Sequence, residues 1–102
     1  MTTQNNVAIN VKEKIDIKPP KDFKVIYIND DATSFEFVIE SLQEVFDYTY
    51  EDANSTAKKI HDEGTAVVAI LPFEIAEQKG VEVLMEARQQ GYPLEIKIEP
   101  AD

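Results

Sequence analysis

Asn29-Asp30-Asp31, Thr33 and the lone His61 are the residues of this chain whose types and positions could do chemistry. A carboxylate beside an imidazole suits proton transfer or metal binding. Neither use finds a second signal: one His and two adjacent Asp have no metal-ligand spacing, no nucleophile motif accompanies them, and no Gly-rich loop offers N–H groups to a phosphate. The plain structural reading is that Asn-Asp-Asp is turn and cap chemistry and that His61, near a helix end, complements the helix dipole. Ala57, Ile60 and His61 lie three and four residues apart, so they share one side of a helix. If that helix packs on the one before it, Phe35 and Val38 face Ala57 and Ile60 across an apolar wall, with Asp30 and His61 at its rim.

The elements that must position these residues are legible from period and punctuation. Phe23-Lys24-Val25-Ile26-Tyr27-Ile28 is β-branched and aromatic, and is expected to be a strand with at least one buried face. Asn29-Asp30-Asp31 turns the chain. Thr33-Ser34-Phe35-Glu36 has the capping-box spacing, which starts a helix with Thr33 as its cap. Phe35, Val38, Ile39, Leu42 and Phe46 form its apolar stripe, while Glu36, Glu40, Gln43 and Glu44 face water. Thr49, with Asp52 three residues on, opens a second helix that runs to Glu63, lined inside by Ala53, Ala57 and Ile60 and ended by Gly64. Residues 65–71, TAVVAIL, read as a central strand. Pro72 is preorganised for the first turn of a third helix carrying Ile75, Ala76, Val83, Leu84 and Ala87, with a bend or close packing at Gly80, until Gly91-Tyr92-Pro93 breaks it. Residues 94–99, LEIKIE, alternate cleanly as a strand with one wet face. The order predicts an α+β domain, β-α-α-β-α-β, with three helices on one side of a three-stranded antiparallel sheet.

Residues 1–20 differ in kind. Their polar start, alternating charges and Pro19-Pro20 predict a flexible N-terminal tail ahead of a core domain over residues 21–102.

The whole chain is 102 residues, one domain's length, and 43% hydrophobic, enough for a core without staples. Its formal charge of −10 repels phosphate, which removes nucleic acid and anionic membrane from the expected partners. Cysteine is absent, so disulfides, thiolate metal sites and Cys nucleophiles are all excluded. Residues 1–10 have no apolar h-region and the longest apolar run, residues 66–73, is too short to span a bilayer. A cytoplasmic protein is expected.

The stretch PPKDFKVIYINDDATSFEFVIESLQEVF, followed by IHDEG, FEIAEQK and YPLEIKIE, resembles ClpS, the adaptor family that delivers N-degron substrates to AAA+ Clp unfoldases. The likeness runs from Pro19 to Glu99 in the family's order and spacing. It implies a ClpS-like binding module that is not an enzyme, with no cofactor and no metal. By resemblance, Asn29, Asp30 and His61 grip the free α-amino group of a substrate's first residue, and Asp31 and Thr33 belong to the same loop. Phe35, Val38, Ala57, Ile60 and Leu94 fall on positions of the side-chain pocket, which receives Leu, Phe, Tyr or Trp. Glu74 and Lys79 match positions that contact the N-terminal domain of a ClpA-like or ClpC-like unfoldase, and the adaptor is expected to be a monomer. Phe35 and Ala57 depart from the Met common there, Ser34 from a common Pro, and Ala32 from a larger residue, so the pocket's shape is this chain's own. The alternative is an adaptor-like domain that modulates a Clp unfoldase without recognising N-degrons.

Overall fold

In the computed structural model, which describes residues 10–11 and 21–102, the chain runs β1 (Asn10–Val11), β2 (Phe23–Ile28), α1 (Phe35–Phe46), α2 (Tyr50–Glu63), β3 (Thr65–Leu71), α3 (Phe73–Gln89) and β4 (Glu95–Pro100). β2 pairs antiparallel with β3 on one edge and with β4 on the other, which makes the expected three-stranded antiparallel sheet. The two residues of β1 are added in parallel beside β4, so the sheet order is β1-β4-β2-β3. The expected flexible tail and its boundary fall on residues 1–20, which apart from β1 lie outside the described residues.

Alternation decides which face of the sheet is buried. Val25 and Tyr27 of β2 and Ile96 and Ile98 of β4 lie in the core, while Glu95 and Lys97 are exposed. Onto the buried face α1 brings Phe37, Val38, Ile39, Leu42 and Val45, α2 brings Ala53, Ala57 and Ile60, and α3 brings Ala76, Gly80, Val83 and Ala87. One polar pair sits inside: Ser41 donates its hydroxyl to the Val38 carbonyl at 2.9 Å, so the Tyr27 hydroxyl is the donor in their 2.8 Å contact. Burial pushes the Tyr27 pKa up against the opposing effect of that bond, and the phenol stays a neutral donor.

Three details depart from the sequence reading. The α1 cap is Ser34, whose Oγ accepts from the Phe37 N–H at 3.0 Å, because the Thr33 hydroxyl is engaged by Asp30 at 2.7 Å. The stripe of α1 is rotated accordingly: Phe37 is buried against Tyr92, with ring centroids 5.3 Å apart, and Phe35 is 41% exposed. The last strand begins at Glu95, leaving Leu94 as the buried residue at its threshold. α2 conforms, with Thr49 Oγ1 accepting from the Asp52 N–H at 3.1 Å and Gly64 taking a left-handed φ of 92°. Among the described residues, no helix is long and apolar enough to cross a membrane.

Candidate functional site

β2 delivers Asn29 and Asp30 to the end of the sheet where α2 stops and β3 starts. One backbone bond joins the two sides, the Asn29 N–H donating to the Gly64 carbonyl at 2.8 Å. Since His61 lies in the last turn of α2, three residues before Gly64, that bond holds the imidazole beside the Asn-Asp-Asp loop.

The loop is built around the Asp30 carboxylate. Oδ1 accepts from the Ala32 N–H at 2.8 Å and the Thr33 N–H at 2.7 Å, and Oδ2 accepts from the Thr33 hydroxyl at 2.7 Å. Partial burial works to raise the Asp30 pKa, but the Thr33 hydroxyl, the two N–H groups and the Arg88 guanidinium together outweigh it and hold the carboxyl below its ordinary value. At neutral pH the loop therefore carries a fixed negative charge. A carboxylate has about four acceptor positions, so one, on Oδ2, remains open.

Asn29, Asp30, Asp31, Thr33, Phe35, Val38, Ala57, Ile60 and His61 line a single cavity of about 300 Å³. Val38, Ala57 and Ile60 are buried and make its apolar floor, while Phe35, Asp31 and His61 are exposed and stand at its rim. The arrangement sets acceptors around an apolar hole, the complement of a cation attached to an apolar group. Its volume is at the small end for ligand sites, closer to one amino acid than to a large cofactor.

Leu94 is not brought to this cavity. It is 1% exposed and belongs to the core. Glu74 and Lys79 also lie elsewhere, on α3: Glu74 is exposed in its first turn, and the Lys79 ammonium donates to the Val45 carbonyl at 2.8 Å and sits 5.9 Å from the Phe46 ring centroid. The sequence reading missed Gly64 and Arg88. The spacing from His61 to Gly64 was visible, but only as a helix exit, and Arg88 acts on Asp30 through space from a distant part of the chain. A larger groove, about 470 Å³, runs along α3 beside Val81, Leu84, Met85, Arg88 and Gln89. Among the described residues, its lining lacks the convergent acceptors that mark the smaller cavity.

The family model described as ATP-dependent Clp protease adaptor protein ClpS matches residues 18–97. An ATP-dependent Clp protease adapter protein ClpS of Wolinella succinogenes is 37% identical over 89 residues, covering 87% of this chain and 87% of its own length. One of the same description from Nautilia profundicola is 43% identical over 89 residues, covering 87% and 92%. Among solved structures, Agrobacterium tumefaciens ClpS2 bound to L-phenylalaninamide superposes with a TM-score of 0.76 at 36% identity, covering 79% of this chain and 98% of that one.

Proposed function

The chain belongs to the ClpS family of ATP-dependent Clp protease adaptors, which are not enzymes, and from that premise we propose that its cavity binds the free α-amino group and apolar side chain of a substrate's first residue. The carrying observation is the grouping of Asn29, Asp30 and His61 over the floor of Val38, Ala57 and Ile60 around one cavity. An ammonium has three donors and no acceptor. The open position on Asp30 Oδ2, the Asn29 amide oxygen and one nitrogen of neutral His61 supply three acceptors, one for each N–H. Asp31 and Thr33 complete the loop, Thr33 by fixing the Asp30 carboxylate. Burying a Leu- or Phe-sized side chain against the floor contributes about 1.5–3 kcal/mol, so neither half alone suffices and the pair selects an unblocked, apolar first residue. The phenylalaninamide held by the Agrobacterium relative has both halves, a free amine and an aromatic side chain.

Delivery to a ClpA-like or ClpC-like unfoldase in the cytoplasm, by a monomeric adaptor, is part of the same proposal. Glu74, exposed on α3, is offered as a direct contact. Lys79 is partly committed to Val45 and Phe46, so it shapes that surface as well as meeting the partner.

Calorimetric titration with short peptides beginning Leu, Phe, Tyr, Trp or Ile, each with a free and an acetylated amine, tests the reading. Acetylation removes the charge and two of the three donors and is expected to weaken binding by tenfold or much more. Equal affinity for free and acetylated peptides would overturn the amine grip. No binding of any peptide would favour an adaptor domain that does not recognise N-degrons.

A further inference from the structure

Between α1 and α2 stand only Asp47, Tyr48 and Thr49. Asp47 takes a left-handed φ of 61° that closes α1, and the Tyr48 N–H returns to the Leu42 carbonyl at 3.1 Å, so the Tyr48 backbone is fixed to the end of α1. Thr49 then caps α2. The Tyr48 side chain leaves both helices, and its hydroxyl donates to the Val68 carbonyl of β3 at 2.6 Å. Val68 sits where the register between β2 and β3 shifts: Val25 pairs with Ala69 and Ile26 with Val67, which leaves Val68 with no residue opposite in β2. Such a bulge disrupts the ladder locally, and Tyr48 satisfies the carbonyl there. Burial raises the Tyr48 pKa, the Thr56 side chain works against that rise and the Asp52 charge adds to it, so the phenol stays a neutral donor. Asp52 and Thr56 are one turn apart on α2, and Tyr48 lies against that flank.

α2 is therefore held at two points. At its C-terminal end the Gly64 carbonyl accepts from the Asn29 N–H, and at its N-terminal end Tyr48 ties it to β3. Ala57, which with Ile60 supplies the α2 share of the apolar floor, is halfway between them. At about 1.5 Å per residue Ala57 stands about 10 Å from Gly64, so a displacement of the N-terminal end, with Gly64 as pivot, reaches Ala57 at about half its size and His61 at about a fifth. The two anchors act on different halves of the site: Gly64 on the polar rim, Tyr48 on the apolar floor.

We propose that Tyr48 is a positioning residue, a strut that sets the gap between Val38 on α1 and Ala57 on α2 and, through it, which apolar first residues the cavity accepts. The selectivity rests on the reading of the cavity as the seat of a substrate's first residue; the strut itself does not.

Calorimetric titration of the full chain with Leu-first and Trp-first peptides, each free and acetylated, compares the native protein with Tyr48→Phe, which keeps the ring and removes the hydroxyl. Ile98→Val is the control, a lost core methyl in β4, which packs under α3. In Tyr48→Phe the ratio of Leu to Trp affinity is expected to fall by about threefold or more, the size of a small misfit in an apolar pocket, while the effect of acetylation stays as in the native protein. Ile98→Val should move neither. An unchanged ratio, or a ratio and an acetylation effect that fall together, would overturn the role in selectivity. A second readout needs no peptide. The chain has no cysteine, so spin labels on Glu36→Cys and Lys59→Cys, exposed positions of α1 and α2, report the helix separation by double electron–electron resonance. Tyr48→Phe is expected to lengthen or broaden that distance by about 1 Å or more, and Ile98→Val to leave it unchanged. Identical distributions would overturn the strut. A shifted distribution in a protein that binds free and acetylated peptides alike would support the strut and overturn the amine grip, and in a protein that binds no peptide it would overturn the selectivity together with the amine grip.

Discussion

Asp30 accepts three hydrogen bonds from its own loop before it meets any ligand. Its side chain is therefore a fixed charge whose direction is set in advance, and Thr33 is the residue that sets it. Thr33→Val keeps the backbone bonds and removes the hydroxyl, so the Asp30 carboxyl, held low in the native protein, is expected to titrate at a higher pH, as read by carbon NMR of the side-chain carboxyl. The sign of the stability effect follows. A carboxyl whose pKa is depressed by folding stabilises the fold above its unfolded value of about 3.9, and that contribution is lost as pH falls through the lower folded value. A native titration no lower than that of Thr33→Val would contradict the loop geometry. For the amine grip, Asp30→Ala and His61→Ala each remove an acceptor from a partly desolvated charged contact, which typically costs about 2–5 kcal/mol, so peptide affinity should fall by tenfold or more. Affinity within error of the native protein in both, with the fold intact, would sink the assignment.

At the scale of elements, α2 and its exit carry a large share of the site's geometry. Gly64 ends the helix at a φ of 92°, and its carbonyl holds Asn29. A Cβ placed there meets nothing within 4 Å, so the penalty of Gly64→Ala is backbone strain alone. That strain is about 1–2 kcal/mol, and unlike other losses of similar size it should also loosen the contact between His61 and the loop and lower peptide affinity. Ser34→Ala is the control: losing the α1 cap costs about 1 kcal/mol in thermal melting with a smaller effect on peptide binding. If both variants lower affinity alike, the Asn29 to Gly64 link has no special role. The strand and helix order was legible because each element's period and caps agree locally, as Thr49 and Gly64 do. The rotation of α1 was not, since Thr33 and Ser34 are both favoured cap residues and the bond from the Thr33 hydroxyl to Asp30, three residues before it, decides between them. The same rotation turned Phe35 out to the rim and Phe37 into the core, although Phe35 had the better helical spacing. Leu94, assigned to the pocket by likeness alone, lies in the core at the threshold of β4, a placement set by packing against distant elements that no local pattern announces.

The molecule as a whole carries a formal charge of −10, and such a body associates fastest with a partner surface of opposite sign. Glu74 stands exposed on α3, so Glu74→Lys is expected to weaken association with the N-terminal domain of the unfoldase and leave peptide binding unchanged. Because Glu74 lies in the first turn, where a carboxylate complements the helix dipole, the substitution also costs about 0.3–1 kcal/mol of stability, and Glu74→Gln separates the two effects. Equal pull-down of the unfoldase domain by all three proteins would remove Glu74 from the interface. Deleting residues 2–16 should likewise spare peptide affinity, since the acceptors and the apolar floor of the cavity come from residues 29–61, while reducing degradation of a bound substrate by the Clp machine.

β2 is bonded along both edges, at six register positions to β3 and six to β4, and its far end becomes the loop that holds Asp30. A tether pulled at the N-terminus meets these parts in series. Tension first peels the two residues of β1 from β4 and then acts along the axis of β2, where the rungs on both sides bear it together in shear instead of opening one by one. Below the force at which β2 slides, the load stops at the sheet, and the Asn29 to Thr33 loop keeps its shape around whatever it is holding.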